Sequence, residues 1–239
     1  MGAGRRFVRS PLAALVRLTL VAALAACRDD PTSATAPFAI DASLATSQAI
    51  TVGTIVTPSP TFIVRNSRGD ALADVPVLIS VTKGDGTLRN VPLRTSSGST
   101  SIGEWTLDTI ARANEVTIVA GSAPPVTVAI AGVADAAASV TADPGALDAF
   151  AGDFLGSAFA LRVRDRYGNA VSGAGVSLTV AKGGGDVSPA SITTDGNGLA
   201  SGISWRLGRL GGSQQLVATV GGISAEIAAS IRSGFDPVV

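Results

Sequence analysis

The chain has no histidine, a single cysteine and only 4% aromatic residues in 239. Each shortage removes a class of chemistry. Without histidine there is no Ser-His-Asp triad, no imidazole zinc site and no imidazole base. One cysteine cannot form an internal disulfide, a four-thiolate metal site or a thioredoxin-like pair. A balance of 18 Lys+Arg against 18 Asp+Glu gives no positive field to draw nucleic acid. No motif in the chain asks for a cofactor. What is plentiful is glycine, 28 residues, together with a hydrophobic fraction of 46% that suits one or two folded domains.

The first 26 residues stand apart. They run from a basic start (Arg5, Arg6, Arg9) through an apolar stretch to small residues, the plan of an export signal. The uncharged, largely apolar run, Leu18 to Ala26, is far short of the about 20 residues that span a bilayer. Its end, Leu24-Ala25-Ala26-Cys27, resembles the lipobox of bacterial lipoprotein signal peptides. That resemblance implies cleavage before Cys27, a diacylglyceryl thioether on its sulfur and an acyl chain on its amine. At about 0.8 kcal/mol per buried methylene, two or three such chains hold a protein on a membrane almost permanently. Arg28 follows the cysteine, where the absence of aspartate implies sorting to the outer membrane, on its periplasmic or its outer face. An ordinary secreted protein is the alternative. Loss of Arg5, Arg6, Arg9 and Arg17 with the signal leaves 14 basic side chains against 18 acidic, a mature charge of about −4.

Residues 28–44 are polar and contain Pro31 and Pro37, and they read as a flexible tether behind the lipidated Cys27. Beyond them the sequence repeats. Phe62-Ile-Val-Arg-Asn66-Ser-Arg-Gly69-Asp70-Ala-Leu72 aligns with Leu161-Arg-Val-Arg-Asp165-Arg-Tyr-Gly168-Asn169-Ala-Val171, and Val81, Lys83 and Gly84 fall on Val180, Lys182 and Gly183, at one offset of 99. Trp105 falls on Trp205 at an offset of 100, the difference being one inserted loop residue. Two homologous domains follow, at 45–132 and 136–233, with a short tail at 234–239. Inside each the period is two: Leu161 and Val163 alternate with Arg162 and Arg164, and Val176, Leu178 and Val180 with Ser177 and Thr179. Glycine-rich turns separate about seven short strands per repeat, the pattern of an all-β Greek-key sandwich.

Asp165-Arg-Tyr-Gly168-Asn169-Ala-Val171-Ser-Gly173, Val176-Ser-Leu178-Thr-Val180, Ser188-Pro189-Ala190-Ser191 and Thr194-Asp195-Gly196-Asn197-Gly198-Leu-Ala200 together resemble the group 1 bacterial immunoglobulin-like domain of the invasin and intimin type. The second repeat matches along nearly its whole length. The first departs from the pattern: Asn66 stands for the aspartate, Asp70 for the asparagine, and Ser97-Gly98-Ser99-Thr100 for the Asp-Gly-Asn-Gly segment. The resemblance implies two tandem immunoglobulin-like sandwiches with a mechanical or adhesive role at the cell envelope, and no catalytic residues.

Candidate sites are few. Ile203, Trp205 and Leu207 share one strand face, so Trp205, and with it Trp105, reads as core rather than as a stacking platform for sugar. Asp165, Asn169, Asp186, Asp195 and Asn197 supply hard oxygens, and a calcium site is the alternative to their role as turn formers. Paired carboxylates would need a cleft to work as a glycosidase. Gly183-Gly184-Gly185 lacks the Gly-Lys-Ser/Thr and helix of a phosphate loop. The expected protein is lipid-anchored, acts as a structural or adhesive module, and meets a protein or glycan ligand if it meets one at all.

Overall fold

The computed structural model describes residues 35–44, 49–157, 159–209 and 212–232. The lipobox Leu24, Ala25 and Ala26, the anchor Cys27 and the tail 234–239 lie outside them. Among the described residues every regular element is a strand. Alternation sets their faces. In Ala113–Ala120, Val116, Ile118 and Ala120 are buried while Glu115, Thr117 and Val119 between them are half-exposed. In Ala160–Asp165 the buried set is Leu161, Val163 and Asp165.

Strand pairing builds two sandwiches on one plan. In the first, Ala39–Ser43, Thr61–Arg65 and Thr100–Ser101 form an antiparallel layer. The facing sheet runs Ile50–Thr51, Val126–Val133, Ala113–Ala120, Val77–Lys83, and a ribbon of Thr87–Arg89 with Glu104–Thr106 accompanies them. In the second, Ala137–Asp143, Ala160–Asp165 and Leu199–Ala200 make the corresponding layer. Its facing sheet runs Ala146–Ala149, Ile223–Ile231, Gln214–Val220, Gly175–Lys182, Ser191–Thr193, and the third group is Phe154–Gly156, Ser204–Leu207, Gly185–Ser188. Among the described residues nine strands thus answer to eleven, the second sandwich adding Phe154–Gly156 and Ser191–Thr193. The count exceeds the seven expected because short strands such as Phe154–Gly156 and Ser191–Thr193 pair along the sheet edges, and the long strands carry bulges. One such bulge recurs at the same place in both, between Val81 and Lys83 and between Val180 and Lys182.

Each sandwich has its own core. Phe62, Val64, Ile102, Trp105 and Ile118 centre the first, and Leu161, Val163, Ile203, Trp205 and Leu216 the second. Both tryptophans have 0% exposure, and the indole N–H of each is buried without a protein partner. A threonine clasp is also duplicated. The Thr95 hydroxyl donates to the Leu72 carbonyl (2.7 Å) and accepts from the Val75 N–H (3.0 Å); Thr194 does the same with Val171 (2.6 Å) and Ala174 (2.9 Å).

One sequence expectation is corrected. Residues 39–43, read as the end of a tether, form the strand Ala39–Ser43, paired from Ala39↔Arg65 to Ser43↔Thr61, with Ile40 in the core. Phe38, Ile40, Ala42 and Leu44 do alternate with polar or small neighbours, but the run is short and enters through Pro37. Its pairing partner, twenty residues on, is what makes it a strand.

Candidate functional site

The site with the most specific chemistry is the joint between the sandwiches, and it grows from one turn. After Ala160–Asp165 the chain reverses through Arg166-Tyr167-Gly168-Asn169. Gly168, at φ +86, takes the left-handed conformation that closes the turn. The Asp165 carboxylate is the hub: Oδ1 accepts from the Tyr167 N–H (2.9 Å) and the Asn169 N–H (2.8 Å). Its Oδ2 accepts from the Asn169 amide (2.8 Å) and from the Asp135 N–H of the interdomain linker (3.0 Å).

Asn169 then reaches across to the first sandwich. Its Oδ1 accepts from the Ala111 N–H (2.9 Å), and its Nδ2 donates to the Thr109 carbonyl (2.8 Å). The amide meets a donor with its oxygen and an acceptor with its nitrogen, which a carboxylate in its place could not do. Arg166 pairs with Asp135 (3.1 Å) and lies 4.7 Å over the Tyr167 ring. Tyr167 packs on Gly53, where an added Cβ would stand 2.8 Å from the phenol oxygen. Tyr167 is therefore a contact between the sandwiches.

The loop that Asn169 grips is itself braced. The Asp108 carboxylate accepts from the Ile110 N–H (3.2 Å) and from Arg112 Nε (2.6 Å), while Arg112 also reaches Asp85 (2.6 Å). Beneath it Asn114, fully buried, accepts from the Asp108 N–H (3.2 Å) and donates to the Arg112 carbonyl (3.0 Å). A methyl group on Gly84 would collide with that amide. The second sandwich carries the same plug: Gln214, fully buried, accepts from the Gly208 N–H (3.1 Å) and lies against Gly183. Sequence reading passed over Asn114, Asp108 and Arg112. The available signal was a polar side chain at an inward position of an alternating strand, matched in the repeat by Gln214.

Electrostatics follow from these contacts. Burial works to raise the Asp165 pKa, but the bonds from Asn169, Asp135 and Tyr167 outweigh it and hold the carboxyl below its ordinary value. Asp108 shows the same balance: burial opposes, and Ile110 and Arg112 prevail. Asp195 is also lowered, by the Leu199 and Asn197 N–H groups of its own turn.

The hard oxygens considered for calcium are thus distributed. Asp165 and Asn169 meet in the joint, with all four Asp165 contacts taken by N–H donors. Asp195 closes a separate turn with Asn197 (2.8 Å) and Leu199 (2.9 Å), and Asp186 sits on Gly185–Ser188. Among the described residues no group of three or more acidic, histidine or cysteine side chains could hold a metal ion.

The first sandwich carries the same turn with its two polar residues exchanged. Asn66 Oδ1 accepts from the Arg68 and Asp70 N–H groups (both 2.9 Å), and Asn66 Nδ2 donates to the Asp70 carboxylate (3.1 Å). The turn survives the exchange because one amide and one carboxylate remain. The position that grips a neighbour in the second sandwich is a carboxylate in the first.

A cleft of about 440 Å³ lies beside the joint, lined by Gly53, Asp85, Thr109, Ile110 and Tyr167 among others. A larger hollow of about 540 Å³ on the first sandwich includes Ser59, Ser96, Ser99 and Ser101. There Ser59 gives its hydroxyl hydrogen to the Gly103 carbonyl (2.5 Å) and Ser101 donates to Ser59 (3.0 Å).

Among solved structures the chain is similar to the Escherichia coli adhesin FdeC, with 14% identity over 83% of this chain and 65% of that one and a TM-score of 0.55. It is also similar to the D00-D0 domain of intimin (15% identity, 80% and 96% covered, TM-score 0.43) and to the S-layer protein rSbsC (15% identity, 84% and 28% covered, TM-score 0.40). No protein-family model matches the sequence, and no curated protein does. The FdeC likeness establishes the fold: two immunoglobulin-like sandwiches in tandem.

Proposed function

We propose that this chain is a lipid-anchored protein of the bacterial cell envelope whose two sandwiches form a stiff spacer that holds an adhesive or structural surface away from the membrane. The observation that carries this reading is the joint. Two independent domains need no side chain that donates and accepts across their boundary, yet Asn169 does both, and Asp165 fixes the linker at Asp135. A joint of this kind converts two modules of about 95 residues into one longer body. The adhesin named in the FdeC structure supports the surface role, and the sequence at Leu24–Cys27 supports the anchor. With Ala39–Ser43 folded into the sandwich, the tether shortens to the residues between Cys27 and Pro37, so the first sandwich stands near the membrane.

Anchoring is tested by palmitate labelling in a bacterial host. The native chain incorporates label and globomycin blocks its processing, while Cys27→Ser takes up none. Undiminished labelling of Cys27→Ser contradicts the anchor. Protease treatment of intact cells then separates the outer face of the membrane from the periplasmic one.

A further inference from the structure

In each sandwich a strand near the domain's N-terminal end runs parallel to the domain's last strand. A load applied between the chain ends pulls the first of these backward and the second forward along one axis. Their hydrogen bonds are then strained together in shear, whereas an antiparallel pair pulled from one end opens bond by bond. The parallel pair is therefore the mechanical latch of each sandwich, and its length sets the force it bears.

The two latches differ. In the first sandwich, among the described residues, Ile50–Thr51 pairs with Gly132 and Val133, with one further bond from the Val52 N–H to the Val133 carbonyl (2.9 Å). In the second, Ala146–Ala149 pairs residue for residue with Ala228 to Ile231. That ladder is extended at both ends, by Ala228 N–H to the Gly145 carbonyl (3.4 Å) and Arg232 N–H to the Ala149 carbonyl (2.8 Å). An ion pair between Arg232 and Asp148 (3.4 Å) lies across its far end. The neighbouring pairings of the two facing sheets are alike in length: six residues of Val77–Lys83 pair with Ala113–Ala120, and five of Gly175–Lys182 pair with Gln214–Val220.

We propose that the chain has a built-in order of yielding under tension: the first sandwich, with its two-residue latch, opens at lower force and serves as the extensible link, while the second, with its four-residue latch, stays folded. This goes beyond a spacer role, because it makes the membrane-proximal module the one that lengthens when an attached surface is pulled.

The test is stretching of the full chain by its two ends in optical tweezers. Because Ala39–Val133 and Ala137–Ile231 release equal lengths, a twenty-residue Gly/Ser insertion marks one domain, adding about 70 Å to its step. Insertion after Gly98 marks the first sandwich, and insertion between Gly221 and Gly222 marks the second; added atoms at all three glycines meet nothing within 4 Å. The expected result is that the longer step comes first, at lower force, in the Gly98 variant and second in the Gly221 variant. Any other ordering in either variant overturns the proposal. Leu147→Pro, which removes a donor from the long latch, should lower the force of the second step toward that of the first. An unchanged second force would show that the latch does not carry the load, and would overturn the proposal as well.

Discussion

Exchanging the two polar residues of the joint turn, Asp165→Asn with Asn169→Asp, separates the stability of the second sandwich from the stiffness of the joint. The exchanged pair is the one the first sandwich already carries as Asn66 and Asp70, where it closes the same turn with the same three bonds. The second sandwich should therefore keep its fold, losing no more than about 1 kcal/mol, the scale of one hydrogen bond. The joint should not survive. The new carboxylate at position 169 could still accept from the Ala111 N–H, but it has no hydrogen for the Thr109 carbonyl, which Asn169 Nδ2 meets at 2.8 Å in the native chain. The new amide at position 165, with its NH₂ turned toward that carboxylate, would set a donor against the Asp135 N–H that now donates at 3.0 Å. One bond between the sandwiches and one to the linker are lost, at roughly 0.5–1.5 kcal/mol each. A cost of about 1–3 kcal/mol weakens the closed joint roughly 5- to 150-fold. Amide ¹⁵N relaxation reads this directly. The native domains should share one slow tumbling time, and in the exchanged variant each should tumble faster and separately. If the variant tumbles as slowly as the native chain while its urea midpoint is unchanged, the joint is not held by these side chains.

Three further outcomes follow from the same contacts. Gly183→Ala should destabilise the second sandwich well beyond Gly184→Ala: both sit at positive φ (+88 and +74), a strain of about 1–2 kcal/mol, but only the Gly183 methyl strikes the Gln214 amide; equal urea midpoints would refute the buried-amide plug. Asp165 has a folded pKa below the unfolded value of about 3.9, so its contribution is fully present well above that value and fades as pH falls through the lower folded one. Acid titration of native chain and Asp165→Asn should show curves that converge as pH falls below the ordinary aspartate range; curves that stay parallel through and below that range would contradict this. Millimolar calcium should leave the melting temperature of the chain unchanged, since the Asp165 lone pairs already receive four N–H groups; a rise of several degrees reversed by chelator would revive the calcium alternative.

The period of two, the offset of 99 and the glycine turns carried the sandwich and its duplication openly, because alternation and turn chemistry are local. The recurrent bulge at Val81–Lys83 and Val180–Lys182 shows how closely the repeat is kept, lysine included. The strand Ala39–Ser43 was not legible, since a five-residue run gains its identity from a partner at Thr61–Arg65. The joint was hidden for a different reason. Asp165 and Asn169 look like any Asx turn, and nothing local reveals that the amide also grips Thr109 and Ala111, nearly sixty residues away. Asn114 and Gln214 were readable only by comparing the two repeats, where a polar residue keeps an inward place that alternation reserves for apolar ones.

The stiff-spacer claim is tested most directly by residual dipolar couplings of the native chain in a dilute aligned medium, measured separately for residues 39–133 and 137–231. A rigid joint requires one alignment tensor, with equal magnitude and orientation from both sandwiches. Two tensors that differ in magnitude would mean that the sandwiches move independently, and would contradict the claim.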